Sequence, residues 1–413
     1  MGSNLASSWK RGTRIHAALA TAAVLLASSA AVGPSVSTGA STAPSTIQKS
    51  AVGVSPGAGF FLDPVHLQRG LDDFKTLGAR WIRSSIPWHN FQPADPRSLP
   101  VGAPLYSWKG VDAFVATINN AANAGHFSLI VTVDGPPAWA QVKSRIAPIA
   151  CADQAPFDLG SYASAIAALA VHLHGTAGVF ELENSPNIAL RGAAHVNSVA
   201  VWPTPNPCGY AQLLKQTYAA VKAVQPDAIV LVGGIGGVRD VAGGRIAADE
   251  YLAGLYANGA QGSFDGVSYH PYSTPSLPCD PADVICTFNP STLNKDPYGM
   301  KNGWDRMLNA RAIMVAHGDG AKSMWITEFG GATQGPVGST ATLTEAQQAA
   351  LLLNGFERAS QYSWVAMMDW FTYQDKGTNP QTDKHGDWMG LVRSNYSRKP
   401  AFATYVAMVA AAS

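Results

Sequence analysis

The sequence predicts an α/β fold, a single-domain (β/α)8 TIM barrel with elaborated loops on its C-terminal face. Three observations predict it. After residue 50 the 413-residue chain repeats one unit: a short β-branched run, a loop of polar and aromatic residues, then an amphipathic Ala/Leu-rich segment. That alternation is the signature of βα units on a parallel sheet. Eight such units fit into about 360 residues, the size of a barrel with enlarged loops. Finally, the residue types that carry chemistry collect at the C-terminal ends of the runs, where barrel active sites lie.

The expected strands, in order, are residues 51–54, 81–85, 128–133, 179–183, 229–232, 266–269, 324–327 and 365–369. Each is a short run rich in Val, Ile, Leu, Trp, Tyr or Met. Between them, helical periodicity covers 65–77, 111–124, 162–174, 210–224, 249–258, 303–317 and 345–360, and 400–412 closes the set. The competing fold is an open doubly wound sheet. Gly233-Gly234-Ile235-Gly236-Gly237 tests it and lacks the full Gly-x-Gly-x-x-Gly spacing, because Arg239 stands where the third glycine belongs. A close loop turn above the fifth strand is the preferred reading of that run.

Twenty-eight Lys and Arg against 27 Asp and Glu leave a formal net charge of +1. With no basic patch or acidic tail, no nucleic-acid partner is expected. The chain is 47% apolar and holds eleven Trp. Most of these pack a core, and those at strand ends are candidates for stacking on sugar rings. A monomer is expected.

The N-terminus has the layout of a secretory signal. Lys10, Arg11 and Arg14 make the positive region, 17–27 the apolar region, and Ser29-Ala30-Ala31 a cleavage context. This divides the chain into a signal peptide (1–31), a Ser/Thr/Pro/Ala leader (32–50) and the barrel domain (51–413). The apolar run is short for a membrane span and no second one follows, so a secreted protein is expected, with an uncleaved anchor as the alternative. Four cysteines, Cys151, Cys208, Cys279 and Cys286, suit an oxidising compartment. Cys279 and Cys286 are close enough to staple one loop, leaving Cys151 with Cys208, but three pairings are open. No Cys-x-x-Cys or spaced His pair favours zinc, so no metal is expected.

Several strand ends carry candidate site residues. The second gives Arg83 and, in the loop beyond it, Trp88; the third runs into Asp134-Gly135-Pro136-Pro137-Ala138-Trp139-Ala140. The sixth ends Tyr269-His270-Pro271-Tyr272, the eighth Asp369-Trp370-Phe371, and the seventh Trp325-Ile326-Thr327-Glu328-Phe329-Gly330. The plain alternatives are a structural ion pair for Arg83 and Glu328, loop packing for Trp139, and a satisfied core histidine for His270.

Phe180-Glu181-Leu182-Glu183-Asn184-Ser185-Pro186-Asn187 resembles the Asn-Glu-Pro-Asn strand-end signature of clan A glycoside hydrolases, and the segment around Glu328 resembles its partner signature. In motif style the chain is similar to family 39-like and family 5-like enzymes. The likeness extends to the tail, with Trp388-Met389-Gly390-Leu391-Val392 and Lys399-Pro400-Ala401. The resemblance implies a retaining glycosidase acting on a polysaccharide or oligosaccharide, with no cofactor. Glu328 would be the nucleophile, Arg83 would keep it ionised, and Asn184 would bind the sugar 2-hydroxyl. His270 and Tyr272 would surround nucleophile and sugar. Trp370 would be the aromatic floor, with Trp88 and Trp139 as further aromatics of the cleft.

One position departs from the signature. Ser185 stands where the acid/base glutamate belongs, and a hydroxyl cannot usefully protonate a leaving group. General acid assistance typically contributes roughly 10²–10⁴-fold. By two-residue alternation Glu181 and Glu183 share the side-chain face of Ser185 unless a bulge intervenes. Glu181 lies about 13 Å back along the strand and suits a barrel-interior partner for Arg83. Glu183 is the nearer substitute acid, and a carboxyl from another loop, such as Asp134, is a further one. The alternative function is a carbohydrate-binding pseudoenzyme without a proton donor.

Overall fold

The structure, a computed structural model, describes residues 47–57, 60, 64–120, 123–142, 155–189, 204–274, 277–278, 303–336 and 342–412. Eight strands form a closed barrel in sequential order: β1 (Val52–Ser55), β2 (Trp81–Ser85), β3 (Ser128–Val133), β4 (Val179–Asn184), β5 (Ile229–Gly236), β6 (Gly266–His270), β7 (Ser323–Phe329) and β8 (Val365–Phe371). Neighbouring strands pair in parallel, and β8 closes on β1 through Val52↔Met368 to Ser55↔Phe371. The doubly wound alternative is thereby excluded.

Helices α1 (Pro64–Leu77), α3 (Lys109–Ile118), α4 (Leu159–His172), α5 (Pro207–Val224), α6 (Ala248–Ala257), α7 (Gly303–Ala316), α8 (Glu345–Ser360) and α9 (Pro400–Ala411) follow the strands in turn. A single turn, α2 (Trp88–Phe91), precedes α3 in the loop after β2. Local chemistry sets their starts: Asp158 caps α4, Asn206 caps α5 with Pro207 behind it, and Thr344 with Gln347 makes a capping box on α8. Helix α3 stops at Ile118, short of the expected 124. Asn119 caps it, and the Asn120 side chain accepts from the Asn123 N–H.

Strand β5 also departs from expectation. The glycine run belongs to the strand rather than to a loop above it. A Cβ on Gly233 would sit 2.2 Å from the Leu182 carbonyl oxygen, and one on Gly234 would sit 2.1 Å from His270 Nε2. The glycines are there for close approach of β4 and of His270.

Side chains inside the barrel stack in layers. The lowest is apolar: Ile130, Val179, Leu231, Trp325 and Met367 cluster with Trp81, whose ring meets Trp325 edge-on at 5.3 Å. Two residues further along the strands the interior turns polar, with Arg83, Thr132, Glu181, Ser268, Thr327 and Asp369. All of these are buried.

At the top of this polar layer helix tyrosines complete the strand ladders. On α4, the Tyr162 hydroxyl donates to the Val133 carbonyl at 2.7 Å and accepts the Glu183 N–H. On α5, the Tyr210 hydroxyl donates to the Leu182 carbonyl and accepts the Gly233 N–H at 2.7 Å. Tyr405 on α9 donates to the Gly53 carbonyl at 3.0 Å. Buried backbone groups need such partners. Tyr210→Phe leaves one buried carbonyl and one buried N–H unpaired, at roughly 1–3 kcal/mol each. Urea denaturation followed by far-UV circular dichroism should show a loss of that order; a change below about 0.5 kcal/mol would contradict the role given to this hydroxyl.

Candidate active site

Arg83 is the centre of the polar layer. Its Nε and Nη2 donate to Glu181 Oε1, Nη2 also donates to Asn184 Oδ1 at 2.7 Å, and Nη1 donates to Glu328 Oε1 at 2.6 Å. Burial by itself would lower the guanidinium's pKa, but Glu181 and Glu328 raise it above its ordinary value. Burial pushes Glu181 up, and Arg83 more than reverses that, holding its carboxylate below the usual range. Glu181 is completed by Thr132 Oγ1 at 3.2 Å and Ser268 Oγ at 2.6 Å. Removing one partner of such a buried pair costs about 3–5 kcal/mol.

Glu328, near the end of β7, receives a second donor: Tyr272 OH reaches its Oε2 at 2.8 Å. His270 Nδ1 lies 3.6 Å from the same oxygen, and His270 Nε2 lies 3.0 Å from Thr327 Oγ1. Burial, with Arg83 close by, lowers the imidazole to about 3, so His270 is neutral. Burial beside Glu328 pushes the Tyr272 phenol well up, keeping it a donor. The carboxylate thus has a cation on one oxygen and a neutral hydroxyl on the other, and 12% of its side chain is exposed. That combination fits an anionic group open to a reacting centre.

The β4 turn corrects the expectation for Glu183. Both Glu181 and Asn184 contact Arg83 inside the barrel although they are three residues apart. The alternation is broken by Glu183, whose φ of +68° is left-handed, and Ser185 follows at +50°. Glu183 is 0% exposed, and among the described residues its carboxyl oxygens have no hydrogen-bond partner. Its electrostatic neighbours are Asp134 and the core tyrosines Tyr162, Tyr210 and Tyr251. Burial, with Asp134 adding to it, pushes this carboxyl well up, so it is a neutral acid behind the site rather than a group in the cleft. Ser185 is partly exposed, anchored by its N–H on the Gly234 carbonyl at 3.0 Å. Asn187 is buried and pins β4 to β5, bonding both the N–H and the carbonyl of Gly236.

Two aromatics are also corrected. Trp88 is 0% exposed, packs edge-on against Trp139 and Tyr162, and donates to Gln92 Oε1 at 2.7 Å. It is a core residue. Trp370 is likewise 0% exposed, packs against Phe329 and donates to the Met389 carbonyl. Because Met367 and Asp369 point into the barrel, strand parity turns Trp370 outward and brings Phe371 inward, where it meets Tyr272 edge-on at 6.5 Å. Phe371 was legible only from that parity. Trp139 stays partly exposed, its indole N–H on the Gln92 carbonyl. Asp369 was also missed. Burial pushes its carboxyl well up, and a Cβ on Gly53 would sit 2.1 Å from its Oδ1.

Cys208, in the first turn of α5, is disulfide-bonded. Cys151, Cys279 and Cys286 lie outside the described residues, as do the signal and most of the leader. Among the described residues no group of three potential metal ligands occurs, and no helix is long and apolar enough to cross a membrane.

No protein-family model and no curated protein matches the chain. Solved structures do share its fold. A family 39 glycoside hydrolase from the gut symbiont Bacteroides cellulosilyticus superposes with a TM-score of 0.58 over 88% of this chain at 20% identity. The chain spans 64% of that protein's length. A monomeric β-xylosidase from Caulobacter crescentus superposes at 0.57 and 17% identity, over 88% of this chain and 68% of the other. A family 5 glycoside hydrolase from Bifidobacterium longum superposes at 0.52 and 16% identity, over 88% and 79%. These neighbours are clan A glycoside hydrolases with TIM barrels. At such identities the shared property is the fold.

The raised pKa of Glu183 has a thermodynamic consequence. The folded state keeps a proton there that the unfolded chain releases near pH 4.5, so this site's contribution is intact below that pH and is lost as pH rises towards the folded pKa. Glu183→Gln removes the loss. Thermal melts of both proteins should separate progressively between pH 5 and pH 8, the variant melting higher, at up to about 1.4 kcal/mol per pH unit. A separation independent of pH would mean that Glu183 ionises freely in the fold.

Proposed function

We propose that this chain is an exported, monomeric retaining glycoside hydrolase that cleaves O-glycosidic bonds of an oligosaccharide or polysaccharide. The observation that carries the reading is Glu328: a strand-end carboxylate held by Arg83 on one oxygen and Tyr272 on the other. Attack by that carboxylate on an anomeric carbon forms a glycosyl-enzyme intermediate that water then releases with retained configuration. Arg83 and Tyr272 together fix the orientation of the nucleophile. Asn184, steered by Arg83 Nη2, is placed for a sugar hydroxyl, and Phe371 and Trp139 offer apolar faces to a ring. Export rests on the N-terminal sequence and the disulfide-bonded Cys208. The β-xylosidase among the structural neighbours suggests β-xylosides as the first substrates to test.

A second reading is favoured by Ser185 together with the burial of Glu183: a glycan-binding protein whose catalysis is impaired for want of an acid at the β4 position. The two readings part on leaving group. An aryl glycoside with a 2,4-dinitrophenolate leaving group needs no protonation, so the hydrolase reading expects its turnover, abolished in Glu328→Gln. On the second reading Ser185→Glu should raise hydrolysis of an unactivated β-linked disaccharide roughly 10²–10⁴-fold, whereas a hydrolase that draws its proton from another carboxyl gains less than about tenfold. Absence of turnover on 2,4-dinitrophenyl β-xyloside, β-glucoside and β-mannoside alike, with disaccharide binding retained in calorimetry, would establish the binding protein instead.

A further inference from the structure

The rim of the barrel offers a proton donor on the strand beside β4. On β3, Ile130 lies in the apolar interior layer and Thr132 bonds Glu181 in the polar one. The same two-residue period carries Asp134 to the interior face at the mouth. Its Oδ1 accepts from Ser85 Oγ at 2.9 Å, and Ser85 stands two residues beyond Arg83 on β2. Among the described residues no protein donor reaches Oδ2, and Asp134 is partly exposed.

Its backbone is fixed. The Trp88 N–H donates to the Asp134 carbonyl at 2.7 Å, the His89 N–H donates to the Gly135 carbonyl at 3.0 Å, and Pro136-Pro137 follow. Strands β3 and β4 pair up to Val133↔Leu182, which sets Asp134 level with the turn where Ser185 replaces the expected glutamate. The titratable groups around it are Arg83 from β2, His89 from the loop after β2, and Glu181 and Glu183 from β4. Burial outweighs Ser85 and Arg83 and raises this carboxyl above its ordinary value, towards the range a general acid needs.

We infer that Asp134 is the general acid/base of this site, replacing the missing β4 carboxyl from the neighbouring strand. The inference rests on Glu328 being the nucleophile. In the first step Glu328 bonds to the anomeric carbon as the bond from that carbon to the leaving oxygen breaks. The Asp134 proton passes to that oxygen, the aglycone leaves as an alcohol, and Asp134 becomes a carboxylate. In the second step Asp134 takes a proton from a water whose oxygen bonds to the same carbon, releasing Glu328 and restoring the acid.

Asp134→Asn keeps an acceptor for Ser85 and tests the role. On 2,4-dinitrophenyl and phenyl β-xylosides, with the glucoside and mannoside pairs in parallel, kcat/KM should fall roughly 10²–10⁴-fold for the phenyl compound and less than tenfold for the dinitrophenyl one. The basic limb of the wild-type pH profile should disappear in the variant, and azide should restore its turnover with formation of a glycosyl azide. An equal loss on both leaving groups, or no loss on either, would overturn the assignment. Labelling by the matching 2,4-dinitrophenyl 2-deoxy-2-fluoroglycosides separates the two levels of argument. Labelling of Glu328 in wild type and variant, with no leaving-group dependence of the Asp134→Asn loss, overturns Asp134 alone. No labelling at Glu328 in the wild type overturns the nucleophile and this inference with it.

Discussion

The Arg83 guanidinium holds this barrel's mouth together. One planar cation lies between Glu181 in the interior and Glu328 at the rim, with Asn184 on the same nitrogen that bonds Glu181. Its fixed fork can serve all three, which the single ammonium of a lysine could not. A buried ion pair is seldom a net source of stability, because desolvation offsets attraction. Its value here is positional. It ties β2 to β4 and β7, and whatever shifts Glu181 or Asn184 is felt at Glu328.

That constraint explains the shape of β4. Glu181 and Asn184 can both reach Arg83 only if the strand's alternation slips by one residue between them, and a left-handed Glu183 supplies the slip. Left-handed backbone at a non-glycine residue costs roughly 1–2 kcal/mol, and two such residues stand within three positions. The hydroxyls of Tyr162 and Tyr210 take up backbone groups on either side of the slip. Gly233 and Gly234 make room for the displaced β4 backbone and for His270. Helix tyrosines, glycine strand and bent β4 form one device that brings Asn184 inward and sends Glu183 outward.

The same displacement determines the local chemistry. With Glu183 turned into the core and a serine at 185, no β4 carboxyl beyond Glu181 faces the cleft, and Glu181 is committed to Arg83. Glu328 is surrounded by a cation, a phenol and a neutral imidazole, while Asp134 pairs with Ser85 at the ends of β3 and β2.

Much of this was legible in the chain. Strands β2 and β3 and helix α8 fall where the residue pattern puts them, because each is bounded by chemistry a reader can see: β-branched runs, prolines, a capping Thr344. The pairing of Glu181 with a cation such as Arg83 followed from counting back along a strand. What the sequence by itself determined was the order of eight βα units and the residue types at their ends, since both depend on periodicity and local propensity. Only the tertiary structure decided which face each of those residues shows. Trp370 and Phe371, or Glu183 and Asn184, differ by one position, and a one-residue slip in strand parity exchanges core for cleft. That slip is held by contacts of β4 with β5 and with the flanking helices α4 and α5, which no local residue pattern records.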